Sequence, residues 1–254
     1  MKRSGLEVWT AQPALLGAQA CEALAGLLDA QERVRAARMR FEADRCAFVV
    51  AHAMRRLALA HALAVDPADL RFGTGPHGRP VLLDTDGGLP AFSLTRSRGF
   101  VACAVSDAGD VGIDTECVRD GPDGSLLEPF VASAQPPQGQ LDFYRQWTAL
   151  EAFWKARGLG LSAAHPRIAF RPLDADDLYS VVYGDSTRDT GMVVMHLPAP
   201  DGYVLTLACN EPVTVRMVEL DRLAAAPTAQ LDPAHSIGTN GLSPEAAASN
   251  ILGS

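Results

Sequence analysis

Helical and strand-like spacing alternate twice along this chain, and that order restricts the fold more than any other feature. From about residue 19 to 64 it is rich in Ala, Leu, Arg and Glu at helical spacing, as in ACEALAGLLDAQERVRAARM and DRCAFVVAHAMRRLALAHAL. Asp66-Pro67 ends that run. Short strand-like segments follow: LRFGT, RPVLL, LPAFSLTRSRGFVACAVS and VGIDTE. Then LDFYRQWTALEAFWKARG repeats the helical pattern, with Gly158 just past basic Lys155 and Arg157 as a stop signal. RIAFRPL, YSVVYG, GMVVMHLP, GYVLTLACN and VTVRMVEL return to short strands. The order predicts an α+β protein of two similar halves, residues 1–110 and 111–225, although no residue-level repeat is visible. Residues 119–140, rich in Gly, Pro, Asp and Gln, read as a long mobile segment. Residues 226–254 are low in complexity and read as a disordered tail.

Bulk properties narrow the function classes. A formal net charge of -8 disfavours nucleic acid and anionic membranes as partners. The sequence shows no run of about 18 apolar residues, so no membrane span is expected. The N-terminus lacks the continuous apolar core of a signal peptide. Five scattered cysteines, odd in number and without metal spacing, fit free thiols in a reducing cytoplasm.

The chemistry-bearing residues begin with VGIDTE. Asp114 and Glu116 are two apart in a strand and so share a face. Paired acids there repel unless a cation lies between them; the bland reading is an edge strand with a solvated face. Glu151 and Lys155, four apart on the later helix, also share a face. Alone they would be a surface ion pair worth about 0.3–0.5 kcal/mol. Lys155 is one of only two lysines among 22 basic residues, the other being Lys2. If Glu151 meets the strand, three carboxylates form an oxygen-only site suited to Mg²⁺, which binds through carboxylates and substrate phosphates. Arg45, Arg79, Arg96 and Arg98 could hold such phosphates bidentately. No Walker loop, GxGxxG or GxSxG is present. His52, His61 and His77 carry no evident role.

In order, GRPVL, AFSLTRSRGFVACAVS, VGIDTE and FYRQWTALEAFWKARGLGL resemble the 4'-phosphopantetheinyl transferases of the surfactin-synthetase-activator (Sfp-like) type. That family's pattern is roughly G-[KR]-P, F-N-x-S-H-S, G-[IV]-D-[IV]-E and W-[ST]-x-K-E-A-x-x-K-x-x-G-x-G. The resemblance spans about residues 40 to 165. It implies two pseudo-symmetric α+β halves with the active site in the cleft between them. It also implies Mg²⁺-dependent transfer of phosphopantetheine from coenzyme A to a serine of an apo acyl or peptidyl carrier protein, releasing adenosine 3',5'-bisphosphate. On this resemblance Asp114, Glu116 and Glu151 hold Mg²⁺. Glu151 assists deprotonation of the serine, and Lys155 contacts the pyrophosphate. Arg45, Arg79, Thr95 and Arg96 contact coenzyme A. A monomer suffices, because one chain carries both halves. Three residues depart from the pattern: Arg96 for His, Ser93 for Asn, and Leu150 for the first Lys of the helix motif. Two of these changes, Arg96 and Leu150, motivate an alternative, a weakened coenzyme A- or carrier-binding homologue. A metal-dependent phosphohydrolase fits the acids and arginines but not the motif order.

Overall fold

A computed structural model describes residues 5–75, 78–83, 90–132, 137–162, 164–184 and 188–221. The elements are β1 (Leu6–Ala11), α1 (Ala18–Ala25), α2 (Ala30–Ala37), α3 (Glu42–Leu63), β2 (Arg71–Thr74), β3 (Pro80–Leu83), β4 (Ala91–Ser97), β5 (Phe100–Ser106), β6 (Val111–Cys117), α4 (Gln140–Ala156), β7 (Ile168–Pro172), β8 (Leu178–Tyr183), β9 (Asp189–Leu197), β10 (Tyr203–Cys209) and β11 (Val215–Glu219). They form two compact units, the first running to Ala108 and the second from Gly109 to Thr214. From Val215 the chain returns to the first unit, so β11 does not belong to the C-terminal half in which the sequence placed it. Its apolar Val218 packs into the first core, and it pairs in parallel with β1. The protein is α+β. The expected tail beyond residue 225 lies outside the described residues.

In the first unit α3 packs on a sheet of order β11-β1-β5-β4, with β2 and β3 as a separate hairpin. Val50, Met54, Ala58 and Leu59 of the helix are buried with Trp9, Phe92, Val101, Cys103 and Val105 of the strands. Within the 22-residue α3, an 18-residue window reaches a mean hydropathy of 1.2, the length and composition that a membrane-crossing helix also has. Its apolar side chains are instead taken up by this core.

The helical stretch expected as two helices is three. The first part breaks at Gly26, and Asp29 restarts it as the N-cap of α2. Asp29 and Glu32 form a capping box, Glu32 N donating to Asp29 Oδ1 at 2.8 Å and Asp29 N to Glu32 Oε2 at 3.0 Å. Glu32 is itself buried and gathers charge from α3. Arg55 Nη2 donates to its Oε1 at 2.5 Å, Arg56 Nη2 to its Oε2 at 2.9 Å, and His52 Nδ1 lies 2.9 Å from Oε1. Arg56 also reaches Asp29, and the Arg55 guanidinium lies 3.7 Å from the centroid of the Phe72 ring. Long charged side chains usually stay on a solvated helix face, yet these arginines are 3% and 2% exposed.

The cysteines also depart from expectation. Cys21 of α1 and Cys46 of α3 are joined by a disulfide, while Cys103, Cys117 and Cys209 are free. No residue of α1 is fully buried, so the cross-link adds to a packing that is otherwise shallow. Closing a loop of this length restricts the unfolded chain by about 3–4 kcal/mol in the chain-entropy account.

The second unit is a sheet of order β6-β10-β9-β8-β7 under α4. Its core unites Phe143, Leu150, Phe153 and Trp154 of the helix with Ile168, Val181, Met192 and Val204 of the strands. Part of the 119–140 segment is ordered, contrary to its reading as mobile. It holds a 3-10 turn at Gly124–Leu127 and a bridge from Val131 to Ile168, with Leu127 and Val131 buried. Residues 133–136 lie outside the described residues.

Burial alone would raise the Glu32 carboxyl, but the His52 and Asp29 hydrogen bonds and the two arginines bring it down to about 2. A depressed carboxylate stabilises the fold above its unfolded pKa of 4.5, and that stability is lost as pH falls toward 2. Glu32→Gln should therefore cost about 3–5 kcal/mol at pH 7. It should also flatten the acid limb of a urea-unfolding series between pH 4.5 and 2, the range in which Glu32 titrates.

Candidate active site

The candidate site is built where α4 crosses β6. Gly112, Asp114 and Glu116 alternate onto the helix-facing side of that strand. A Cβ at Gly112 would stand 1.9 Å from the Ala152 carbonyl oxygen and 2.5 Å from the Ala156 nitrogen. Only glycine permits this approach. One turn of α4 thereby lies directly on the strand, and Glu151 and Lys155, which precede the contact residues Ala152 and Ala156, are brought close to the next inward position, Asp114.

Lys155 Nζ donates to Asp114 Oδ1 at 2.5 Å and to the Ile113 carbonyl oxygen at 3.3 Å. Asp114 is 5% exposed, so the solvated-edge reading fails for it although β6 is indeed an edge strand. The helix covers that face. Glu151 is half-buried, and its carboxyl is pushed above the ordinary carboxylate value. Burial contributes most, Asp114 raises it further, Lys155 opposes, and Glu116 adds a smaller push upward. Asp114 and Glu116 thus act on Glu151 across the helix–strand junction.

Among the described residues, no three His, Cys, Asp or Glu side chains are drawn together around one ion-sized point. The donors nonetheless fit a hard divalent cation: all are carboxylate oxygens, and they outnumber the ammonium among them. Lys155 already makes an ion pair with one of them.

Leu150, which takes the place of a lysine in the helix motif, is fully buried in the core of the second unit. That position therefore serves packing here. The remaining predicted residues belong to the first unit. Arg45 lies in the first turn of α3 and pairs with Glu42. Arg79 Nη2 donates to the Phe92 carbonyl oxygen at 3.0 Å, which ties the turn before β3 to β4. Thr95 is buried on β4. Arg96, next on that strand, is exposed, with its guanidinium 5.9 Å from the Phe48 ring centroid. Sequence reasoning missed a buried polar chain behind the carboxylates, formed by Thr148, Thr206 and His196. Its one visible signal is the lone Thr in the apolar strand YVLTLAC.

Known proteins give this site a context. The chain is 30% identical over 203 residues to the 4'-phosphopantetheinyl transferase of Bacillus subtilis, covering 76% of this chain and 78% of that protein. It is 33% identical over 150 residues to the 4'-phosphopantetheinyl transferase HetI of Nostoc sp., covering 55% and 63%. It is 27% identical over 183 residues to a phosphopantetheinyl transferase of Thraustochytrium sp., covering 64% and 63%. The match thus spans less than two thirds of the Nostoc and Thraustochytrium proteins. No protein-family model matches the chain. The chain belongs to the 4'-phosphopantetheinyl transferase family.

Two outcomes test the site. Gly112→Ala should cost about 1–3 kcal/mol or more by overpacking, read by urea unfolding, because the obstructing atoms are backbone. Glu151 gives the second. A carboxyl raised by its neighbours becomes a burden on the fold as pH climbs above the ordinary value of 4.5. Glu151→Gln should raise the metal-free melting temperature by about 1–3 °C at pH 7. Millimolar Mg²⁺ should raise that of the unsubstituted protein at pH 7 and leave it unchanged below pH 4. An equal Mg²⁺ effect in both proteins would remove Glu151 from the cation site.

Proposed function

We propose that this protein transfers the 4'-phosphopantetheine arm of coenzyme A to a serine hydroxyl of an apo acyl or peptidyl carrier protein. The serine oxygen forms a new bond to the β-phosphorus, the pyrophosphate P–O bond breaks, and adenosine 3',5'-bisphosphate leaves. The observation that carries this reading is the seating of Glu151 and Lys155 against Asp114 across the glycine contact, in a chain of this family.

Asp114, Glu116 and Glu151 would hold Mg²⁺, which neutralises pyrophosphate charge when bound. Lys155 would shift between Asp114 and the pyrophosphate, where an ammonium stabilises charge as the bond breaks. Glu151, with its raised proton affinity, would take the serine proton directly or through water. Arg45, Arg79, Thr95 and Arg96 would hold the phosphates of the adenosine end. One chain carries all of these residues, which supports a monomer as the working form; the cytoplasmic placement expected from free thiols loses that ground with the Cys21–Cys46 disulfide.

A panel of apo carrier proteins, incubated with coenzyme A and Mg²⁺ and read by intact mass, tests the assignment. The expected result is gain of one phosphopantetheine on at least one carrier. Glu116→Ala and Lys155→Ala should each lower the rate by about 100-fold or more. Full activity in both variants would overturn the site. Coenzyme A binding by calorimetry without transfer to any carrier would instead favour the binding-homologue reading, motivated by the buried Leu150.

A further inference from the structure

Thr148 and Thr206 are wholly buried polar residues in the otherwise apolar contact between α4 and the second sheet. Thr148 Oγ1 donates to the Tyr144 carbonyl oxygen at 2.8 Å. Its single proton is then used, so at the 2.6 Å contact between the two hydroxyls Thr206 is the donor. Thr206 Oγ1, its own proton committed, accepts from His196 Nδ1 at 2.8 Å. The chain has one self-consistent direction, from His196 to Thr206 to Thr148 to the helix backbone. It requires a proton on His196 Nδ1, which the Nδ1–H tautomer of the neutral imidazole supplies. Burial favours that neutral form and lowers His196 to about 4, helped by Arg145 and opposed by Asp142, both on α4. The Tyr179 ring on β8 stands 5.8 Å away, and the imidazole lines a cavity of about 240 Å³.

The register places this chain beside the candidate site. His196, Thr206 and Asp114 are direct neighbours across β9, β10 and β6. Thr148 precedes Glu151 by three residues and Lys155 by seven on α4. The helix is thus pinned at three successive points: Thr148 to Thr206, Ala152 over Gly112, and Lys155 to Asp114.

Resting on the function proposed above, we infer that His196, Thr206 and Thr148 are positioning residues: their directed hydroxyl chain sets the rotation and height of α4 and so the meeting of Glu151 and Lys155 with Asp114. Without the Thr206 hydroxyl, the His196 Nδ1–H and the Thr148 oxygen lose their partner in a buried place. A small shift of the helix relieves that cost and spoils the site, since misplacement by about 1 Å can cost up to 100-fold in rate.

The test compares Thr206→Val, Thr206→Ser and Thr190→Val, all well below their melting temperatures. Thr190 donates to the Val181 carbonyl oxygen at 2.7 Å within the β8–β9 hairpin and serves as the control for losing a hydroxyl bond. Thr206→Val should lower kcat for carrier modification about tenfold, with KM for coenzyme A changed less than twofold. It should also weaken Mn²⁺ binding, read by electron paramagnetic resonance without substrates, about tenfold. Thr206→Ser should restore both. Thr190→Val should lower only the melting temperature. Wild-type kcat and Mn²⁺ affinity in Thr206→Val, or no recovery in Thr206→Ser, overturns the inference. A wild-type protein that modifies no carrier overturns the functional reading, and the Mn²⁺ comparison then still decides the positioning role.

Discussion

The missing side chain at Gly112 is the constraint on which the second unit depends. Backbone of α4 rests on backbone of β6 there, closer than any Cβ would allow. Every other contact of the candidate site follows from that closeness. From a helix lying this low the Lys155 ammonium meets Asp114 directly. Glu151 feels Asp114 and Glu116 for the same reason. The hydroxyl chain then fixes what the glycine contact leaves adjustable, the rotation of the helix about its own axis.

Two sets of buried charges, one in each unit, show how electrostatics separate architecture from chemistry. Glu32 is surrounded by Arg55, Arg56 and His52, and its carboxyl is held down at about 2. Such a group is satisfied, and its work is to bind α2 to α3. Glu151 is pushed the other way by burial and by neighbours of its own sign. A carboxyl kept in that condition by the fold is stabilised by anything cationic that arrives. The direction of the shift separates the two: Glu32 has its countercharges in place, whereas Glu151 stands to gain from one.

Much of this was legible in the sequence. Alternation in VGIDTE put Asp114 and Glu116 on one face, and spacing on the later helix paired Glu151 with Lys155; the structure pairs Lys155 with Asp114 and sets both strand acids near enough to raise the Glu151 carboxyl. What escaped was long-range. The burial of Arg55 and Arg56 left no local sign because their partner, Glu32, lies over 20 residues away on another helix. Cys21 and Cys46 read as free because spacing gives no sign that α1 lies against α3. β11 read as part of the second half because short strands do not announce which sheet they join. Thr206 passed unnoticed because a threonine suits any strand until the residue opposite it on the helix is known.

Leu150 has a consequence for recognising relatives of this chain. With its side chain enclosed among Phe153, Ile168 and Val181, the position belongs to the hydrophobic interior, and the lysine of the wider family cannot simply be written back in. A pattern that demands a cation there passes this protein over. One that asks for a glycine under the helix, two acids on the strand above it, and an acid and a lysine one turn apart keeps it, because those requirements come from how the helix and strand touch.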